Sequence, residues 1–135
     1  MKLRIFIAGV ASVALYGCEC WCLDEGTEKL VRAWGARRLA VLTGRSIRDE
    51  YVDPVWSLLG AVRKRRLQWL GKVLRREEVT LVRRFILAEA MEGSSRRVGG
   101  ILDDVPEFDS VEGLIEMAMD EEVWDNMVTN MVTNI

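Results

Sequence analysis

Four consecutive cations, Arg63, Lys64, Arg65 and Arg66, are followed within three helical turns by Lys72, Arg75 and Arg76. Side chains of this kind at this spacing suit the binding of phosphates. Each neutralised phosphate releases condensed counterions, which gives salt-dependent affinity without reading base sequence. Arg96 and Arg97, in the Gly/Ser-rich stretch 93–100, extend the same candidate surface. A solvated helix face is the plainer alternative for such a run. The surrounding charge favours nucleic acid: residues 63–97 hold 11 Lys/Arg against 4 Asp/Glu, a net of +7, whereas residues 98–135 hold none against 10. The overall charge of -2 therefore hides a basic middle and an acidic tail.

Other chemistries find little support. The chain has no histidine, which removes His-activated nucleophiles, Cys/His zinc fingers and imidazole acid/base catalysis. Cys18, Cys20 and Cys22 lack a fourth thiolate for a structural zinc site, and their odd number implies no closed disulfide framework. Three reduced thiols of an intracellular protein are the reading adopted. Asp103, Asp104, Glu107 and Asp109 lack the ligand spacing of a calcium loop and read as a solvated acidic loop. No phosphate-binding Gly-rich loop, no Gly-x-Ser-x-Gly elbow and no strand-borne Asp pair occurs. No catalytic residue, cofactor, metal or small-molecule substrate is assigned. Trp69 is a candidate for stacking on a base, though between Leu67 and Leu70 it reads first as core.

The elements that must carry these residues read as helices. The apolar run Ile5 to Leu15 after Lys2 and Arg4 fits either a secretory or lipoprotein signal ending at Cys18, or a buried helix facing others through Ile5, Val10, Val13 and Ala14. It is too short for a transmembrane helix. Residues 15–23 are a candidate extended stretch. Asp24 or Thr27 caps a helix with Leu30, Trp34, Val41 and Leu42 inward, ended by Gly44. Asp53-Pro54 opens a short helix stopping at Gly60. Ala61 to Arg75 forms the best-patterned helix, with its cations outward and with Gly71 calling for close packing or a break. Thr80 to Met91 makes another, with Leu81, Val82, Phe85, Ile86 and Met91 inward. Asp109 and Glu112 resemble a capping box, and a final helix uses Val123, Trp124, Met127, Val128 and Met131, closing on the duplication Met127 to Asn134. The expected fold is all-α, an irregular bundle of about five to seven helices. It divides into a helical region 1–92, a flexible linker 93–109 and an acidic helical tail 110–135, and the tail is a candidate mask for the basic helix.

Two segments carry a resemblance. Leu15-Tyr16-Gly17-Cys18-Glu19-Cys20-Trp21 is similar to the LLYGCETW run, and Arg65 to Arg75, RRLQWLGKVLR, to the RRLRWLGHVLR run, that follow the palm in LINE-type (non-LTR) retrotransposon reverse transcriptases. Residues 93–100, GSSRRVGG, are a looser match to that family's basic GxRxxGRP stretch. The resemblance covers residues 3 to 100. It implies a helical thumb and post-thumb region gripping RNA, DNA or an RNA-DNA hybrid by its backbone, with Arg65, Arg66 and Arg75 at matching positions and Lys72 where the family usually has histidine. The family's palm and its catalytic aspartates have no counterpart in these residues, so polymerase activity does not carry over. Under this resemblance the N-terminal run is a thumb helix and the protein intracellular, leaving secretion as the alternative.

Overall fold

The computed structural model describes residues 2–44, 57–77, 80–92, 98–106 and 108–133. Among them the fold is all-α, with six helices and no strand. The first, α1, joins an α-helical turn Lys2–Ile5, a π-helical stretch Phe6–Ala11 and a turn Ser12–Ala14. The Ser12 N–H donates five residues back to Ile7 O. This wider turn brings Phe6 and Ala11 onto one face, and both are buried with Leu15. Ile5, Val10 and Val13, expected inward on a 3.6-residue period, are exposed. Gly17 then takes a left-handed conformation (φ 73°) and Cys18–Cys20 form a 3-10 turn, so the expected extended stretch 15–23 is turn and 3-10 helix up to Cys20, and Trp21 (φ -71°, ψ 143°) is extended.

Helix α2 spans Glu25–Thr43. Asp24 is its cap, accepting from the Thr27 N–H at 2.8 Å, and Gly44 ends it in the left-handed region. Its buried positions are Gly35, Leu39 and Ala40, while Leu30 and Val41 face solvent. Trp34 tilts against Phe6 of α1, with ring centroids 6.3 Å apart, and carries the Arg38 guanidinium on its ring at 5.5 Å.

Helix α3, Leu58–Leu74, is capped by Ser57 Oγ, which accepts from the Gly60 N–H at 2.9 Å. Gly60 thus lies inside the helix rather than ending a separate one before it; Asp53 to Trp56 lie outside the described residues. Ten of its 17 residues are buried, which makes it the axis of the molecule rather than a surface helix. Its N-terminal half (Leu58, Leu59, Val62) closes one apolar cluster with Phe6, Ala11, Leu15, Cys18 and Leu23. Its C-terminal half (Leu67, Leu70, Val73, Leu74) closes a second with Ile86, Leu102, Leu114, Trp124 and Val128.

Helix α4, Leu81–Met91, begins at Thr80, whose hydroxyl accepts from the Arg83 N–H. Only Ile86 and Ala90 are buried; Leu81, Val82, Phe85 and Met91 face outward, contrary to the sequence pattern. A 3-10 turn, Ile101–Asp104, follows, then α5, Val111–Met119, and α6, Glu121–Thr133. The α5 cap is Ser110, which accepts from the Gly113 N–H at 3.0 Å, in place of the expected Asp109/Glu112 box. Asp120 caps α6 through the Val123 N–H. In the terminal repeat, Thr129 and Thr133 donate to the carbonyls of Asp125 and Thr129, and Val128 is buried.

The expected division is a helical region 1–92, a flexible linker 93–109 and an acidic helical tail 110–135, and the described residues of its last two parts pack as follows. Ile101, Leu102, Asp104 and Val105 are buried, and α5 and α6 close on α3 in one cluster. Within the described part of the expected linker, Ile101, Leu102 and Val105 thus join the core cluster of α3 and α5, while Val98, Asp103 and Asp109 are exposed. Residues 93–97 lie outside the described residues. No helix among those described is long and apolar enough to cross a membrane.

Candidate nucleic-acid interface

Because α3 is the axis, its cations cannot all reach solvent. Arg66 lies one turn from Val62 and one turn from Leu70, on the row that enters the core, and it is fully buried. Its Nε sits 2.7 Å from Asp104 Oδ2 as an ion pair, while Nη1 and Nη2 donate to Trp21 O at 2.9 Å and Gly99 O at 3.2 Å. Arg63 is held by Glu28 of α2 and lies 3.7 Å from Asp104 Oδ1. Arg75 donates to Ala118 O at 3.0 Å, with Glu121 at 4.0 Å. Three of the expected phosphate ligands thus join helices to one another. Arg96 and Arg97 lie outside the described residues.

Lys64, Lys72 and Arg76 remain exposed, and Arg65 is half-buried. Arg65, Gln68, Trp69 and Lys72 occupy successive turns of one face and, with Glu19 from the 3-10 turn opposite, line an open cleft of about 220 Å³. Arg65 and Lys72 stand about 10 Å apart along the helix at 1.5 Å per residue. Trp69 has one side against the core cluster and another in the cleft, so its packing and its access to a ligand coexist. Two cations and an amide can face an anion there, opposed by the single carboxylate of Glu19, with an aromatic edge beside it. Burial pushes the Cys18 thiol up, with Glu19 adding to the effect, which keeps it a protonated core side chain.

Sequence reading missed Asp104, assigned to a solvated loop. It is buried, and burial pushes its carboxyl up to about 6 against the lowering effect of Arg66 and then Arg63. The signal was its setting: an acid enclosed by Ile101, Leu102 and Val105. The folded state holds this proton more tightly than the unfolded chain does. The stability it contributes is therefore fully present below about pH 4 and is lost as pH rises toward 6. Asp24 acts in the opposite sense, since the Thr27 N–H lowers its pKa and ionisation strengthens its cap. Denaturant unfolding from pH 4 to 7 should therefore show a falling contribution that disappears in Asp104→Asn; an unchanged slope in that variant would place the carboxyl in solvent. Among the described residues no three His, Cys, Asp or Glu side chains converge to hold a metal ion.

Fold and site together define an all-α bundle around a buried axial helix with one basic face left open. Compared with known protein families, curated proteins and solved structures, the chain matches none.

Proposed function

We propose that this chain is a noncatalytic remnant of a LINE-type retrotransposon reverse transcriptase that retains weak binding to the nucleic-acid backbone. The resemblance of residues 15–21 and 65–75 to that family's post-palm region supplies the ancestry. The observation that carries the binding is the solvent-facing row of α3, where Arg65 and Lys72 flank Gln68 and Trp69 in one cleft. Lys64 and Arg76 extend the row at either end. Arg63, Arg66 and Arg75 hold the fold that presents it.

Fluorescence anisotropy with a labelled DNA duplex and a labelled RNA-DNA hybrid tests this. If four cations engage phosphates, the plot of log affinity against log salt has a slope of about -3.6, at about -0.9 per phosphate. Arg65→Ala combined with Lys72→Ala should bring it to about -1.8 and weaken binding alike on all sequences. No binding to either probe at low ionic strength would sink the proposal.

A further inference from the structure

The cleft on α3 holds one residue that phosphate binding does not call for. Glu19 lines it opposite Arg65 and Lys72, yet among the described residues it forms an ion pair with neither. A carboxylate there weakens the local field that draws phosphates. Its backbone is nonetheless held in place from both sides. Cys18, fully buried, pins the start of the 3-10 turn, and the Trp21 carbonyl just beyond it accepts from the buried Arg66 at 2.9 Å. The turn that carries Glu19 is thus anchored to the core before and after it.

A ligand that uses both walls of the cleft must offer anions to Arg65 and Lys72, an apolar surface to Trp69 and hydrogen-bond donors to Glu19. A nucleotide with an unpaired base has all three. The volume of about 220 Å³ is below the roughly 300–1,000 Å³ of pockets for drug-sized ligands, which suits a single base rather than a base pair. In a duplex the pairing edges are already occupied, so Glu19 would meet only groove and backbone. A carboxylate only accepts hydrogen bonds, and guanine alone among the bases sets two donors, N1–H and N2–H, side by side on its pairing edge. Adenine and cytosine set one amino donor beside an accepting ring nitrogen, and uracil and thymine set one N–H between two carbonyls. We propose that the cleft takes an unpaired guanine of a single strand, with Glu19 accepting from N1–H and N2–H, the base against Trp69, and the adjoining phosphates on Arg65 and Lys72. This rests on the nucleic-acid reading of the α3 face and adds to it a preferred base and strand form.

The test is the affinity of the full chain, at low ionic strength, for labelled oligothymidylates carrying one central deoxyguanosine, deoxyadenosine or deoxycytidine. The guanine strand should bind about fivefold or more tighter than the others, the low end of what a bidentate contact discriminates. Deoxyinosine in its place lacks the N2 amino group and should lose most of that preference, whereas 7-deazaguanine keeps the pairing edge and should retain it. Neither change touches the protein, so folding cannot confuse the result. Glu19→Gln replaces one accepting oxygen by a donor and should bring the guanine strand to the level of plain oligothymidylate. Affinity for plain oligothymidylate should stay equal or rise, because a negative charge leaves the cleft. Strands bound alike, or a guanine preference that persists with deoxyinosine or in Glu19→Gln, overturn the guanine site and leave backbone binding standing. No binding to any single strand overturns it as well, and the duplex and hybrid probes measured alongside show whether backbone binding falls with it.

Discussion

Replacing Gly71 with alanine is expected to destabilise the protein by about 3 kcal/mol, although alanine is the better helix former by about 1 kcal/mol. A Cβ at Gly71 would overlap Trp124 Nε1 and stand 2.8 Å from Cδ1 and 2.9 Å from Cε2 of the same indole. Trp124 has nowhere to retreat, being fully buried in the cluster that joins α6 to α3. Its Nε1–H also donates to Leu67 O at 2.9 Å, using the second lone pair of a carbonyl one turn before Gly71. Displacing the ring strains the core and breaks that bond, leaving a buried donor without a partner. Trp124→Ala should cost about 3–5 kcal/mol for the cavity and the lost contacts. The two losses share one contact, so Gly71→Ala in a Trp124→Ala background should cost little or be favourable. Denaturant midpoints of the two single variants and the double variant measure the coupling; additive losses would mean that Gly71 and Trp124 do not touch.

Helix ends were more legible in the sequence than helix faces. Asp24, Gly44 and Thr80 act as stops or starts by local chemistry within three or four residues, and the structure places them there. Faces depend on what lies across the gap. Leu81, Phe85 and Ile86 are all apolar and fit helical spacing equally, and only the position of α3 selects Ile86. The π-turn in α1 shifted the inward set from Ile5 and Val10 to Phe6 and Ala11, a change of period that apolar residues throughout the run cannot reveal. The candidate site shows the same limit. A basic run was plain to read, but the division between structural and free cations was set by Glu28 and Asp104, which lie far from it along the chain. One local sign existed, since Arg66 continues the row Val62 to Leu70.

Arg66→Ala is expected to lose about 3–5 kcal/mol, because it leaves a buried carboxylate and two carbonyls facing a cavity. For a domain of this size that corresponds to a fall in Tm of roughly 10–20 °C. Lysine should rescue little. The guanidinium reaches Asp104, Trp21 O and Gly99 O from three nitrogens held in one plane, and an ammonium cannot span those directions. Asp104→Leu combined with Arg66→Met should recover much of the loss, since the burial that raises the Asp104 pKa toward 6 shows how much ionisation costs at this site. The same variants separate the two roles of the basic run. Were Arg66 a solvated phosphate ligand, Arg66→Ala would leave stability within about 0.5 kcal/mol of the parent and weaken nucleic-acid binding. As an internal strut it should do the reverse: the folded Arg66→Met, Asp104→Leu protein keeps the salt slope set by Lys64, Arg65, Lys72 and Arg76, because among the described cations of the run these four are in none of the ion pairs that hold Arg63, Arg66 and Arg75.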